Sequence, residues 1–194
     1  MIHTFGDSHS DAGWCAIKGV HTHPIGPLTC HRVGRDGLDA VNITGKVQPG
    51  DIAIFCFGEI DCRCHIGKFN KDEIVFKIGS TVESYLETIR KNCYANPGIN
   101  IGVMTVPPAA AKAGLKDAPD FPFIGTDEER ASYVVCFNVL YRLWCKKLGF
   151  ICVDVHSQYS DGDGMLNSQY STDGVHITNP VFIIGELKRL GIMP

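Results

Sequence analysis

The chain has 194 residues, of which 44% are hydrophobic and 20% charged, and its formal net charge is −3. This size fits one domain, residues 1–194, with a sizeable core. The slight negative charge argues against a general nucleic-acid-binding protein, and no run approaches the roughly 20 apolar residues of a membrane span. The nine cysteines are odd in number, several lie in apolar runs, and no signal peptide is visible. We therefore expect free thiols and a cytoplasmic protein.

Short apolar runs predict strands along the chain. Residues 2–5 form the first run, and we also expect a strand within residues 24–33. Continuous apolar runs at residues 51–57, 99–106 and 150–155 are typical of strands that are buried on both faces. The pattern therefore predicts about five strands.

Longer segments between these runs predict helices. Residues 71–94 carry apolar side chains at a spacing of three to four residues, which forms one stripe. Thr126 and Glu129 form a capping box at the start of a helix over residues 126–148. A last helix is expected over residues 179–191, where a proline occupies the first helical position.

Strands that alternate with helices indicate βαβ units, and therefore a parallel sheet with helices on both faces. The active site of such an α/β protein lies beyond the carboxyl ends of the strands. Residues 107–125 are rich in proline, alanine and glycine and follow one of these strand ends. We interpret this segment as a lid or a wall of the cleft.

Three polar clusters stand at strand ends or loop tips. They are GDSH at residues 6–9, GEIDCRCH at residues 58–65 and DGVH at residues 173–176. Clusters of this kind at the carboxyl edge of a parallel sheet are candidates for catalysis.

A serine nucleophile needs a base, a carboxylate that orients the base, and donors for the oxyanion. Asp173 and His176 are close enough in sequence for one turn to set their geometry. Ser8 follows a strand end, where backbone N–H groups can face negative charge. Each element has an ordinary alternative, since Ser8 could be a helix cap and the Asp173–His176 segment a solvated turn.

The sequences FGDSHS and DGVHIT resemble the Gly-Asp-Ser block and the carboxyl-terminal Asp-x-x-His block of the SGNH (GDSL-type) hydrolases. The matching residues are few, but they bracket nearly the whole chain. The resemblance implies a flavodoxin-like three-layer α/β/α sandwich and no cofactor. It also implies Ser8 as nucleophile, His176 as general base and Asp173 as the residue that orients the base. Family members are esterases, lipases, thioesterases and carbohydrate O-acetyl esterases, and some relatives are acetyltransferases.

The resemblance further implies two oxyanion donors besides the nucleophile's own N–H. Gly34 is the best match to the glycine of the second block, and Gly37 is the next best. The third block is usually Gly-x-Asn-Asp, but residues 58–61 place Ile60 where the asparagine would stand. Isoleucine cannot donate a hydrogen bond, and loss of one oxyanion donor costs on the order of 10²–10³ in rate.

We hypothesise that Arg63 or His65 supplies the missing donor, and that Glu59 and Asp61 hold Arg63 in place. The alternative interpretation is that this segment is a structural salt-bridge loop.

The sequence gives little reason to expect a metal. The spacing of Cys62 and Cys64 before His65 is shorter than in structural zinc sites, and no second cysteine pair accompanies them. A calcium loop starting at Asp161 would need glutamate at its twelfth position, where Thr172 stands. A cysteine nucleophile remains an alternative, but the order serine, aspartate, histidine favours serine.

We therefore predict a serine-dependent ester hydrolase that acts on a small-molecule or glycan ester. The family resemblance and the lack of a large apolar cap in the sequence favour a small acyl group, such as acetyl on a carbohydrate. A glycan O-acyltransferase with the same triad and a non-catalytic carbohydrate-binding protein are the two alternatives. No nucleic-acid or membrane partner is expected, and the sequence does not indicate the oligomeric state.

Overall fold

The computed structural model describes residues 1–113, 115 and 118–193. Within this part of the chain the strands are β1 (Ile2–Gly6), β2 (Val20–Pro24), β3 (Ile52–Cys56), β4 (Asn100–Met104) and β5 (Ile151–Val153). They form one sheet in the order β2-β1-β3-β4-β5, and every neighbouring pair is parallel. The predicted α/β fold with a parallel sheet of about five strands is confirmed.

The helices of the described residues are α1 (Cys30–Asp36), α2 (Leu38–Val41), α3 (Glu59–Cys64), α4 (Ile74–Ala95), α5 (Asp127–Leu148), α6 (His156–Tyr159) and α7 (Val181–Arg189). The three long predicted helices correspond to α4, α5 and α7. The predicted capping box is confirmed, because the Thr126 side chain accepts from the N–H of Glu129 and the Glu129 side chain accepts from the N–H of Thr126.

The sheet separates two cores, as a three-layer sandwich requires. Ala53 and Phe55 of β3 belong to the larger core, which they share with side chains of α1, α4 and α5. Ile54 and Cys56 point the other way and belong to the smaller core, beneath α7. This alternation follows from the two-residue period of a strand, and it explains why β3 is apolar throughout.

The strand expected within residues 24–33 is a wrong prediction. The second strand ends at Pro24, and residues 30–36 form α1 instead. Thr29 caps this helix by accepting a hydrogen bond from the N–H of Arg32. β2 is an edge strand whose residues are exposed or half-buried, so it lacks the continuous apolar run that marks the central strands.

All nine cysteines are free thiols, and five of them are buried. No helix among the described residues is long and apolar enough to cross a bilayer. The cytoplasmic location stays a prediction.

β1 is the topological switch point of the sheet. β2 lies on one side of β1 and β3 on the other, and Gly6 is level with both Pro24 and Cys56. Ligands of open α/β sheets bind at such a switch point, beyond the carboxyl ends of the strands. The fold therefore places the residues that follow β1 in the crevice that the sheet itself creates.

The end of β1 approaches β3 so closely that it requires a glycine. A Cβ atom at Gly6 would lie 2.1 Å from the carbonyl oxygen of Cys56. That distance is far below a van der Waals contact. The backbone of β3 is closely packed, so it cannot move away without a loss of stability.

We expect Gly6→Ala to lower the free energy of unfolding by about 2–3 kcal/mol, because the added methyl group overpacks the sheet. Gly79→Ala in α4 is the matched control, since a Cβ there meets no atom within 4 Å. The control should be neutral or stabilise by roughly 0.5–1 kcal/mol. Urea unfolding measures both, and equal midpoints for the two variants would contradict the expected crowding.

Candidate active site

The chain turns directly after β1 into a single 3₁₀ turn, Ser8–Ser10. Asp7 caps this turn, because its Oδ1 accepts the N–H of His9 at 2.8 Å. The Ser10 hydroxyl donates to the carbonyl oxygen of Asp7 at 2.7 Å, which holds the turn from the other side. Ser8 is therefore not the cap of this turn, and its exposed side chain is free for another role.

Ser8, His176 and Asp173 form a continuous hydrogen-bonded chain. The Ser8 Oγ lies 2.7 Å from the Nε2 of His176, across 168 positions of sequence. The Nδ1 of the same ring lies 2.6 Å from the Oδ2 of Asp173. This is the order nucleophile, base and orienting carboxylate that serine catalysis needs.

The turn that carries Asp173 also holds its carboxylate. Oδ1 accepts the N–H of Val175 at 2.9 Å and the N–H of His176 at 2.8 Å. Partial burial alone would raise the pKa of Asp173, but these hydrogen bonds and the His176 ring lower it well below its usual value. Asp173 therefore stays ionised while it orients the imidazole.

A second imidazole lies beside the first. The His9 ring is buried, with its centroid 4.7 Å from that of His176. Its Nε2 is 3.7 Å from the Oε2 of Glu59. Burial alone would lower the pKa of His9, but Glu59 and Asp7 raise it above its ordinary value. Burial also raises the pKa of Asp7 to about 6.

Glu59 connects this turn to α3. Its carboxylate accepts from the Nε of Arg63 at 2.6 Å and from Nη2 at 3.1 Å, in the two-pronged geometry that suits a guanidinium. Burial opposes its ionisation, but His9 and Arg63 lower the pKa of Glu59 to about 2. The predicted role of Glu59 as the residue that holds Arg63 agrees with these contacts.

Arg63 is fixed on its other side as well. Its Nη1 donates to the carbonyl oxygen of Phe121 at 2.9 Å, and its guanidinium lies 5.2 Å from the centre of the Phe123 ring. Burial alone would lower the pKa of Arg63, but Glu59 raises it. The side chain keeps 12% of its surface exposed, and it lines the same cavity as Ser8.

That cavity, which we call the acyl cleft, has a volume of about 640 Å³ and is lined by Ser8, Pro24, Gly26, Pro27, Ile60, Arg63, Leu115, Ala118, Phe121, Phe123, Asp173, Val175 and His176. Four of these residues come from the segment 107–125, so its described part is a wall of the cleft, as predicted. Residues 114, 116 and 117 of that segment lie outside the described residues. The four residues that this segment contributes to the wall, Leu115, Ala118, Phe121 and Phe123, are apolar.

The structure corrects two assignments of site residues. Gly34 lies within α1, where a Cβ would meet the side chain of Ser84 at 2.7 Å, and it is not among the residues that line the acyl cleft. Its role is close packing of α1 on α4. Asp61 does not hold Arg63, because its carboxylate accepts the N–H groups of Cys30 and His31 at 2.7 and 3.2 Å.

His65 lines a neighbouring cavity together with Asp61 and does not line the acyl cleft, so its position does not support the hypothesis that it donates to the oxyanion. Of the two donors considered in place of the asparagine, only Arg63 lines the cleft that holds Ser8. Gly37, the second match for the donor glycine, terminates α1 with φ of 72° and also lies outside the cleft lining.

Gly26 is a site residue that sequence reasoning missed. It stands two positions after β2, adopts φ of 109°, and lines the acyl cleft with Ser8. The positive φ favours glycine at this position. The sequence signal for Gly26 is its position as the first glycine after the second strand, which ends at Pro24.

Cys62 and Cys64 are buried residues of α3. Within the described residues, no cluster of three or more histidine, cysteine, aspartate or glutamate side chains could hold a metal ion.

Comparison with known proteins bears on the fold. No family model matches the sequence, and no curated protein matches it. Solved structures do match the fold. A GDSL-like lipase from Bacteroides thetaiotaomicron has a TM-score of 0.62 at 18% identity, over 98% of this chain and 86% of that one.

Two esterases are similar over nearly the whole of both chains. A carbohydrate acetylesterase from Sinorhizobium meliloti has a TM-score of 0.57 at 16% identity, over 98% of this chain and 97% of that one. An aryl esterase from M. smegmatis has a TM-score of 0.58 at 13% identity, over 100% of this chain and 99% of that one. The chain therefore has the fold of the SGNH (GDSL-type) hydrolases.

We expect Glu59→Gln to destabilise the protein by about 3 kcal/mol at pH 7, because the variant leaves the Arg63 cation buried without its counter-charge. The folded pKa of Glu59, about 2, lies below its ordinary value of 4.5. Its stabilisation is therefore complete above about pH 4.5 and is lost as the pH falls towards 2. Urea unfolding from pH 7 to pH 3 should show the gap between wild type and variant closing at the acid end.

Glu83→Gln, at an exposed position of α4, is the control for the loss of one carboxylate. It should change stability by less than about 0.5 kcal/mol at every pH. A gap between wild type and Glu59→Gln that does not depend on pH would contradict the role given to the carboxylate charge.

Proposed function

We propose that the protein is a serine-dependent carboxylic ester hydrolase. The observation that carries this proposal is the contact of the exposed Ser8 hydroxyl with His176, at 2.7 Å, inside a cavity of about 640 Å³. A serine hydroxyl in contact with an imidazole that a carboxylate orients is the arrangement that activates a serine nucleophile. The esterases and lipases that share the fold add support.

The hydrogen-bonded chain defines the proton path. His176 Nε2 takes the proton from Ser8 as Oγ forms a bond to the carbonyl carbon of the ester. The ester C–O bond then breaks, and His176 returns the proton to the leaving alcohol. A water molecule, deprotonated in turn by His176, attacks the acyl group and frees the acid and the serine. Asp173 stabilises the imidazolium that forms in both steps.

The negative oxygen of the tetrahedral intermediate needs donors that are not already committed. Among the described residues, no hydrogen bond uses the N–H of Ser8 or of Gly26. Arg63 donates three of the five N–H groups of its guanidinium, which leaves two for a ligand. We assign these three residues as the oxyanion donors, with Arg63 in the place of the usual asparagine.

The proposed substrate is a short acyl ester, such as an acetate, of a carbohydrate or similar alcohol. Clefts of roughly 300–1,000 Å³ hold whole small ligands, so the acyl cleft has room for the alcohol portion as well as the acyl group. Phe121 and Pro27 offer apolar faces to a sugar ring. The similar carbohydrate acetylesterase makes this alcohol class the preferred one.

We expect Ser8→Ala to lower kcat for p-nitrophenyl acetate by a factor on the order of 10⁴–10⁶ without loss of folding, because the nucleophile is removed. Asp173→Asn should lower it by about 10⁴, because the imidazole loses its orienting carboxylate. Ser132→Ala, on the exposed side of α5, is the matched control and should keep full activity. Release of p-nitrophenolate measures all three.

The outcome of this assay separates the hydrolase from its alternatives. Hydrolysis that survives Ser8→Ala would contradict the proposed nucleophile. A folded wild-type protein that neither hydrolyses the ester nor reacts at Ser8 with a fluorophosphonate would instead indicate a binding protein. Acyl transfer to added sugars faster than hydrolysis would indicate a transferase.

We expect Arg63→Ala to lower kcat by about 10²–10³ with a smaller change in KM, because an oxyanion donor acts in the transition state. The variant leaves Glu59 buried without its cation, so circular dichroism and urea unfolding must accompany the kinetics. The double variant Glu59→Gln with Arg63→Met removes the charge pair together and keeps the experiment informative if the single variant unfolds. Wild-type kcat in either folded variant would contradict the assignment of Arg63.

A further inference from the structure

A second cavity opens beside the acyl cleft, and we propose that it binds an anionic group, phosphate or carboxylate, on the alcohol portion of the ester. The substrate would then be an acyl ester of a phosphorylated or acidic sugar. This inference rests on the proposed function, because it names the substrate class of the same site.

The second cavity, which we call the basic pocket, has a volume of about 720 Å³. It shares Pro27, Ile60 and Phe121 with the acyl cleft. The two cavities therefore adjoin at these three side chains, and the proposal places the ester of one ligand at Ser8 and its other end in the basic pocket. Ile60, the residue that replaces the usual asparagine, belongs to this shared wall.

The charged and titratable side chains that line the basic pocket are His31, Arg32, Asp61, His65, Lys68, Lys77 and Asp120. Three of them carry a permanent positive charge, two are histidines, and two are carboxylic acids. The positive groups come from α1, from the turn after α3 and from α4, so they face the pocket from separate elements. A concave surface with an excess of positive charge concentrates anionic ligands.

Asp61 and Asp120 do not neutralise the positive charge of the basic pocket. Asp61 is buried, and its oxygens already accept the N–H groups of Cys30 and His31. Burial raises the pKa of Asp61 to about 7, which reduces its negative charge at neutral pH. Asp120 is exposed and is the one other carboxylate that the described residues contribute to the lining.

Two lysines are available to a ligand. Within the described residues, neither Lys68 nor Lys77 forms an ion pair with a carboxylate. The Nζ of Lys77 lies over the Phe69 ring, 5.2 Å from its centre. Arg32 is less available, because its Nε lies 3.6 Å from a carboxylate oxygen of Asp36. Burial, and then the charges of Lys68 and His31, lower the pKa of His65, as expected in a positive environment.

The rest of the lining fits a sugar that carries the anion. Ser80 and Thr81 add hydroxyl groups beside Lys77, and Ile66 and Phe69 add an apolar surface. Lysine ammonium groups bind phosphate and carboxylate as point charges and need no fixed approach. A neutral glycan would leave these cations without a counter-charge.

The test compares three acetate esters of one sugar series: O-acetylglucose, O-acetylglucose 6-phosphate and O-acetylglucuronate. At low ionic strength, wild-type kcat/KM should be about tenfold higher for an anionic ester than for the neutral one, as two exposed charge contacts allow. The phosphate and carboxylate arms identify which anion is preferred. Added salt should reduce the preference, because the charges are reached by solvent.

The double variant Lys68→Ala with Lys77→Ala should bring the ratio of anionic to neutral kcat/KM close to one. Lys91→Ala with Lys146→Ala removes the same charge from exposed positions of α4 and α5 outside both cavities, and should preserve the ratio. A wild-type ratio near one, or a ratio that both double variants change equally, would overturn the inference.

Binding to the Ser8→Ala variant separates this inference from the esterase proposal. Glucose 6-phosphate or glucuronate should bind more tightly than glucose by calorimetry, and the two pocket lysines should be required. If the wild type hydrolyses p-nitrophenyl acetate but shows no anion preference and no such binding, the basic pocket is not a subsite and the esterase proposal stands. If the anions bind as expected but no ester is hydrolysed, the esterase proposal fails and the anion site stands.

Discussion

The carboxylate of Glu59 is almost completely removed from water, and the cationic side chain of Arg63 lies against it. A buried charge of this kind costs several kcal/mol unless its partners are in place. His9 from the turn after β1 and Arg63 from α3 are held by one carboxylate, and Arg63 in turn holds the backbone of Phe121. The turn that carries Ser8, helix α3 and the cleft wall are therefore positioned together.

The strand order of the sheet also positions the residues of the site. β1 lies between β2 and β3, so Ser8 emerges at the switch point with Gly26 on one side and α3 on the other. Asp173 and His176 approach from the loop before α7, and one turn sets their mutual geometry through the N–H groups that Asp173 accepts. Asp173 and His176 are neighbours in sequence and Ser8 is distant from both, and the fold brings the Ser8 Oγ to 2.7 Å from the Nε2 of His176.

Sequence reasoning located the elements with strong local signals. The central strands are apolar on both faces, and α5 has a capping box at its start, so both were predicted correctly. The predicted position of β2 was wrong, because an edge strand has no continuous apolar run. The same error affected the expected site glycine, since Gly26 lines the acyl cleft and Gly34 does not. Asp61 was also misjudged, because its partners are the N–H groups of Cys30 and His31, about 30 positions earlier in the chain.

The sequence by itself determined the α/β class, the order of serine, aspartate and histidine, and the absence of an asparagine at Ile60, because each is a matter of residue type and local spacing. Only the tertiary structure decided which polar residues share a cavity. Arg63 and His65 are two positions apart in sequence, yet one lines the acyl cleft and the other the basic pocket. The physical reason is that a helical turn points neighbouring side chains in different directions, and long-range packing decides what each one meets.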